Sequence, residues 1–173
     1  ATDICGVINA ANISPQNKGG DIHILGKEIS LAGAKIDASG DFGGGDIFIG
    51  GGFQGEGKLP QSEHAHIDEG TSILANALVK GDGGRVFVWS QEQTLFNGEI
   101  IAYGGSKGGA GGFVETSSQN ALGIAQGKVN VGSSQGLEGQ WLLDPTNIII
   151  KDGGDTEFGA VSNFPPFNGS QVV

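Results

Sequence analysis

Short stretches in which apolar and polar residues alternate recur along the chain, and each follows glycine. Four of these words read GGDIHI, GGDIFI, GGRVFV and GGFVET, at residues 19–24, 44–49, 83–88 and 111–116. A looser copy, EGQWLL, covers residues 138–143. Alternation with a period of two is typical of a β-strand that buries one face, so each word predicts a short strand.

The spacing of these words indicates an internal repeat. The anchoring glycines Gly20, Gly45, Gly84, Gly112 and Gly139 are separated by 25, 39, 28 and 27 residues. A second apolar pair follows most anchors, in KIDASG, SILANA, EIIAYGG and KVNVGS (residues 35–40, 72–77, 99–105 and 128–133). Candidates for a third strand are EISLAG, TLFNG and ALGIAQG (residues 28–33, 94–98 and 121–127). The long step holds residues 50–68, whose glycines, proline and polar residues predict an inserted loop.

A repeat with two or three short strands cannot bury its own apolar face, but a stack of repeats can. We expect corresponding side chains of successive repeats to lie over one another in the interior. This core stack is Ile22, Ile24, Ile47, Ile49, Val86, Val88, Val114, Trp141 and Leu143. The intervening residues His23, Phe48, Phe87, Glu115 and Leu142 should face outward. The sequence therefore predicts an all-β protein, a parallel β-helix (solenoid) of about five coils with one inserted loop.

The prediction divides the chain into three parts. Residues 1–18 are an N-terminal lead-in or cap, residues 19–152 are the repeats with the insertion at about 50–68, and residues 153–173 are an irregular tail or a link to a further segment. Terminal coils that are not capped expose strand edges. We therefore expect end-to-end self-association that depends on concentration.

Composition narrows the class of protein. The chain has 34 glycines in 173 residues, and its 37% of apolar residues excludes plain disorder. A formal net charge of -10, with nine scattered lysines and arginines, argues against a nucleic-acid partner. The lone Cys5 cannot form a disulfide within the chain. No apolar stretch approaches the ~18 residues of a membrane helix, and the first twenty residues lack the pattern of a signal peptide.

Several longer words carry a family resemblance: GVINAANIS (residues 6–14), GGDIFIGGGFQGEG (44–57), GGRVFVWSQEQTLFNGEIIAYGG (83–105), GGAGGFVETS (108–117) and LLDPTNIII (142–150). As a set they resemble the filamentous haemagglutinin-like exoproteins of the two-partner secretion pathway in Gram-negative bacteria and cyanobacteria. The resemblance implies a right-handed parallel β-helix, export of the full-length parent by an outer-membrane transporter, and a role at the cell surface as adhesin or shaft. The NPNG-like words of the family's secretion domain do not occur, so we expect an internal segment of a longer secreted protein.

Two histidines of the inserted loop, His64 and His66, are candidate ligands of a transition metal because Glu63, Asp68 and Glu69 stand beside them. The alternative is a solvated polar loop, since the sequence offers no evident further ligand that is fixed in place. The acidic composition permits calcium, but GGGDI (residues 43–47) misses the spacing of calcium-binding repeats. We expect no cofactor, with calcium as the open alternative.

Paired carboxylates are required for polysaccharide cleavage, and Asp144, Asp152 and Asp155 are close in sequence. Acidic residues beside glycines are more often turn residues. No G-x-S-x-G word and no phosphate-binding Gly-Lys-Ser/Thr word occurs. We therefore expect no catalytic site.

These observations favour a non-catalytic β-helical shaft or adhesin segment of a large secreted bacterial surface exoprotein. Its partner would be a receptor or glycan on a host or neighbouring cell. The inserted loop, with Phe53, Gln54, His64 and His66, is the candidate contact, because loops vary without disturbing a core, and its deletion should spare folding. A carbohydrate-binding or polysaccharide-cleaving β-helix is the alternative.

Overall fold

The computed structural model describes residues 1–144, 148–150 and 171–172. Within these residues every regular element is a strand, apart from one turn of 3-10 helix at Phe53–Gly55. In chain order the strands are β1 (Thr2–Ile4), β2 (Val7–Asn9), β3 (Ile22–Ile24), β4 (Glu28–Leu31), β5 (Lys35–Asp37), β6 (Asp46–Ile49), β7 (His64–Ile67), β8 (Ser72–Leu74), β9 (Arg85–Val88), β10 (Gln93–Phe96), β11 (Glu99–Ile101), β12 (Phe113–Thr116), β13 (Ala121–Ile124), β14 (Lys128–Asn130), β15 (Gln140–Leu142), β16 (Ile148–Ile150) and β17 (Gln171–Val172).

The strands form three parallel sheets, and up to β16 each sheet takes every third strand of the chain. The order is β1-β4-β7-β10-β13-β16 in the first sheet, β2-β5-β8-β11-β14 in the second and β3-β6-β9-β12-β15-β17 in the third. A chain that visits three sheets in turn and returns one strand further along is a β-solenoid. This one has about five turns, so the predicted all-β parallel β-helix is confirmed.

Columns of apolar side chains run along the interior of the third sheet. Ile22, Ile47, Val86, Val114 and Trp141 occupy one register position in successive strands. The first four are at most 5% exposed, and Trp141 is half-buried. Full burial of one such side chain stabilises by about 1.5–3 kcal/mol, so the columns hold successive coils together.

Parallel columns complete the core. Ile24, Ile49 and Val88 form the second column of the third sheet, which continues into the buried Thr116. Leu143, the residue after β15, is half-buried. The other two sheets contribute the buried side chains Ile36, Ile73, Ile100, Leu31, Ile67 and Phe96, again in register. The predicted core stack thus forms one wall of a three-sided interior.

The recurring glycines lie where the chain passes from the second sheet to the third. The backbone N–H of Gly84 donates to the carbonyl oxygen of Ala75 at 2.7 Å. A Cβ atom at Gly84 would lie 2.1 Å from the carbonyl oxygen of Gly45, its counterpart one coil earlier. Neither glycine has a positive φ. The words therefore require glycine because the backbones of neighbouring coils approach closely, and a side chain would separate them.

Residues 1–18 are not a lead-in or cap, which corrects the sequence prediction. β1 pairs with β4, and β2 pairs with β5, so both belong to a regular coil. No Gly-Gly word precedes either strand, so the repeat pattern does not mark them. Their position becomes evident only from the strands with which they pair.

The insertion is also shorter than predicted. Residues His64–Ile67 form β7, which pairs with β4 and β10 in the first sheet. The three candidates for a third strand overlap β4, β10 and β13 and are confirmed. The excursion from the solenoid is therefore residues 50–63, which we call the inserted segment. In the predicted irregular tail, residues 153–173, the structure describes only β17, which pairs with β15. Asp152 and Asp155 lie outside the described residues.

Candidate functional site

Aromatic rings follow one another on the outer face of the third sheet. His23, Phe48 and Phe87 share a register position on β3, β6 and β9. The His23 and Phe48 ring centroids are 5.0 Å apart in an edge contact, and those of Phe48 and Phe87 are 5.0 Å apart and stacked. Phe113 on β12 adds a fourth ring, 5.9 Å from Phe87. Three of the residues predicted to face outward on this sheet thus form a ladder of rings with Phe113.

The inserted segment folds over this ladder. The ring of Phe53 lies 6.1 Å from that of Phe87 and 5.8 Å from that of Phe113, both in edge contacts. As a result Phe87 is only 4% exposed although it points away from the solenoid interior. Edge contacts between rings contribute about 0.5–1.5 kcal/mol each beyond area burial. The segment is therefore packed structure, which corrects the prediction of a loop that leaves the scaffold.

Glu115 holds the tip of the inserted segment. Its side chain is fully buried, and its two carboxylate oxygens accept the backbone N–H of Gln54 at 3.1 and 3.0 Å. Burial raises the pKa of the Glu115 carboxyl, because removal from water disfavours the ion; the hydrogen bonds from Gln54 and Ser117 lower it, and the charge of Asp144 raises it further. Among the described residues Glu115 is the one charged side chain that is fully buried.

Gln54 makes a second connection from the tip. Its side-chain amide Nε2 donates to Oδ2 of Asp144 at 2.6 Å, next to the end of β15. The backbone of Gln54 has a φ of +51°, in the left-handed region that residues other than glycine rarely adopt. A conformation of this kind persists only where surrounding contacts impose it, and here both the backbone and the side chain of Gln54 are bound.

The base of the segment is closed by hydrogen bonds. The N–H of Gly50 donates to the carbonyl of Ile24, and the N–H of Ser62 donates to the carbonyl of Gly50, at 2.9 and 2.7 Å. The buried Ser62 hydroxyl donates to the carbonyl of Trp89 at 2.9 Å. Gly55 lies against the indole of Trp89, which is 6% exposed. The segment thus starts and ends on the same corner of the solenoid and covers a tryptophan there.

A groove of about 390 Å³ remains between the inserted segment and the following coils. It is lined by Gln54, Gly55, Gln61, Trp89, Ser118, Gln119 and Asp144. Its volume lies at the small end of the roughly 300–1,000 Å³ typical of ligand sites. Amide, hydroxyl and carboxylate groups dominate the lining, and none of these described residues is a lysine or arginine. The groove therefore suits a neutral, hydroxyl-rich ligand better than an anion.

Hydroxyl groups fix the backbone next to the groove residues Trp89 and Ser118. The buried Ser90 and Thr94 hydroxyls are 2.7 Å apart, and the Thr94 hydroxyl donates to the carbonyl of Ser117 at 2.8 Å. At the rim, the Gln91 side-chain amide donates to Oε1 of Gln61 at 2.9 Å. No buried side-chain polar atom in the described part of the chain lacks a hydrogen-bond partner. The groove is therefore preorganised.

The predicted contact residues fall at two separate places. Phe53 and Gln54 lie at the tip of the inserted segment and anchor it, although the Phe53 side chain remains 42% exposed. His64 and His66 lie on β7 and face outward from the first sheet, and they do not line the groove. The sequence did not indicate Trp89 or Gln61 as groove residues, or Glu115 as the residue that holds the inserted segment.

The other candidate ligands have local partners. Asp68 accepts the N–H groups of Gly33 and Gly70 and the hydroxyl of Thr71, at 3.0, 3.1 and 2.8 Å. These hydrogen bonds, led by that from Gly33, lower the pKa of Asp68, as expected of a turn residue. Asp46, the acid of the GGGDI word, forms an ion pair with Arg85.

No protein-family model matches this sequence, and no curated protein matches it significantly. Within the described residues, no helix has the length and apolar character needed to cross a bilayer. The groove and the words that carry the family resemblance are therefore the features that bear on function.

Proposed function

We propose that this chain is a non-catalytic β-helical segment of a large secreted bacterial surface exoprotein, similar to the filamentous haemagglutinins, and that it binds a glycan at a host or neighbouring cell through the groove beside the inserted segment. The observation that carries the proposal is the preorganised groove on an otherwise regular solenoid. A regular stack serves as a shaft, and its one covered face offers a site for specific contact.

The lining of the groove supports a glycan as the ligand. The side-chain amide of Gln54 already donates to Asp144, and that of Gln61 donates to Gly55 and accepts from Gln91. Because an amide has two N–H donors and two acceptor lone pairs, both side chains keep capacity for the hydroxyl groups of a sugar. The Asp144 carboxylate accepts hydrogen bonds from hydroxyl groups, and the edge of Trp89 gives one apolar contact. A small number of polar groups that point into one largely preformed pocket is the usual arrangement of a small-ligand site.

The position of Glu115 argues against catalysis in this groove. Cleavage of a glycosidic bond requires two carboxyl groups that both reach the scissile bond. Asp144 lines the groove, but Glu115 is fully buried beneath the inserted segment, with both oxygens turned to Gln54. Its role is to position the segment.

A polysaccharide-cleaving β-helix is the second candidate, and the proximity of Glu115 and Asp144 favours it. For Glu115 to act as the acid, the tip of the segment would have to lift during the reaction. Incubation with acidic and neutral polysaccharides, followed by measurement of new reducing ends and unsaturated sugars, separates the two candidates. Release that is lost in Glu115→Gln would establish the second and overturn the first.

A glycan array with titration of the hits by calorimetry tests the binding function. We expect Gln61→Ala to weaken binding at least about tenfold, which corresponds to about 1.4 kcal/mol. Gln93→Ala is the matched control, since Gln93 is also an exposed glutamine but lies on the first sheet. An array without hits, or equal affinity of Gln61→Ala and the wild type, would contradict the proposal.

A further inference from the structure

A cluster of potential metal ligands lies on the outer face of the first sheet, and none of its residues lines the groove. Glu28 on β4 and His64 on β7 are direct partners in the parallel register of these strands. Glu63 precedes His64 at the end of the inserted segment. One ligand atom from each of the three side chains lies within 4.8 Å of the other two, and His64 Nδ1 is 3.1 Å from Oε1 of Glu28.

The backbone under this cluster is fixed. The N–H groups of Glu63 and His64 both donate to the carbonyl oxygen of Lys27, at 2.7 and 3.3 Å. Ala65 and Ile67, which alternate with the two histidines of β7, are buried in the core. The three ligand side chains therefore project from two neighbouring coils whose backbone is fixed. Their ligand atoms are close together before any metal ion binds.

We propose that Glu28, Glu63 and His64 bind a divalent transition metal ion of the zinc type, with one imidazole nitrogen and two carboxylate oxygens as protein ligands and water at the remaining positions. This ligand set favours zinc over calcium or magnesium, because imidazole is a good ligand for zinc whereas the hard cations prefer six or more oxygens. The proposal is independent of the groove and of its ligand.

A lysine ammonium contacts one of the three proposed ligands. Lys27 Nζ lies 2.9 Å from Oε1 of Glu63, while the Lys27 side chain remains 71% exposed. An exposed ion pair of this kind contributes little and is readily exchanged. The ammonium thus shows that the two acids attract a cation, and its removal should favour the metal.

Calorimetric titration of the full chain, prepared without a polyhistidine tag, with zinc chloride tests the site. We expect one zinc ion per chain and no heat of binding with calcium chloride. His64→Ala should weaken zinc binding at least about tenfold, since loss even of a residue that supports a ligand costs 10- to 100-fold. Glu28→Gln, which keeps the shape of the side chain, should act in the same direction.

Two further variants make the test specific. His66→Ala removes an exposed histidine from the same face of the same strand and should change the affinity less than twofold. Lys27→Met removes the competing ammonium and should strengthen binding. Absence of zinc binding, an equal loss in His64→Ala and His66→Ala, or weaker binding in Lys27→Met would each overturn the proposal. Circular dichroism of every variant verifies the fold.

Discussion

Replacement of one recurring glycine tests the account of the coil corners. In Gly84→Ala the new Cβ would lie 2.1 Å from the carbonyl oxygen of Gly45 and 2.9 Å from the Cβ of Ala75. The backbones of two coils must move apart by about 0.9 Å to reach the 3.0 Å that real Cβ atoms tolerate. The carbonyl that must move accepts the N–H of Arg85 at 3.1 Å, so a hydrogen bond between coils is weakened as well.

The expected loss of stability follows from these contacts. Overpacking costs about 1–3 kcal/mol, and each weakened hydrogen bond costs about 0.5–1.5 kcal/mol. The lower entropy of the unfolded alanine chain offsets about 0.4–1 kcal/mol. We therefore expect the free energy of unfolding of Gly84→Ala to fall by about 0.5–4 kcal/mol.

Urea unfolding followed by tryptophan fluorescence measures this change, with Trp89 and Trp141 as probes. Gly6→Ala is the matched control, because a Cβ added at Gly6 would meet no atom within 4 Å beyond its chain neighbours, and the φ of Gly6 is not positive. The control should be neutral or slightly more stable than the wild type. If Gly84→Ala unfolds at the same urea concentration as Gly6→Ala, the close approach of the coils is refuted.

Three further predictions concern the covered face and the ends of the stack. Burial raises the pKa of Glu115, so the folded state holds a proton that the unfolded state releases above about pH 4.3. The free energy of unfolding of the wild type relative to Glu115→Gln should therefore fall as the pH rises through the raised pKa. A difference between the two proteins that does not vary with pH from 3 to 8 would contradict the buried carboxyl. Phe53→Ala should lower the free energy of unfolding by about 1–3 kcal/mol because two edge contacts are lost. Leu78→Ala, at similar exposure (44% against 42%), should cost less in the same urea assay. Equal losses would show that the contacts of Phe53 contribute nothing. Sedimentation velocity should show association that rises with concentration and weakens when the exposed Val7 and Ile13 are replaced by lysine, and a strictly monomeric chain at high concentration would count against open coil edges.

The sequence predicted the solenoid because its signal repeats. In each repeat a strand of the third sheet follows glycine. The backbone of the neighbouring coil lies so close to Gly45 and Gly84 that no side chain fits there. β7 was missed because its inward positions are Ala65 and Ile67 and its outward positions are histidines, so its apolar signal is weak and follows a glycine-rich stretch. A strand of this kind is recognised only through its register with its neighbours.

The sequence indicated Gln54 as a contact residue and His64 with Glu63 as candidate ligands, but the complete sites were not predictable, because they depend on contacts between distant parts of the chain. Gln54 and Glu115 are 61 residues apart, and Gln54 and Asp144 are 90 apart. Both contacts depend on the path of the inserted segment, which repeats nowhere else in the described chain. The third ligand of the metal cluster, Glu28, comes from the coil before His64, at a separation of 36 residues. The stacking of neighbouring coils brings such residues together, and neither composition nor local motifs indicate which residues will meet.

Amide hydrogen exchange at Gln54 tests most directly whether the inserted segment is held on the third sheet and so forms the groove. Two-dimensional NMR of the wild type should show the Gln54 amide exchanging slowly, as strand amides do, and much more slowly than that of the exposed Lys58 in the same segment. Glu115→Ala should abolish this protection. Rapid exchange of the Gln54 amide in the wild type would contradict the account, since the segment would then leave the sheet freely and no fixed groove would exist.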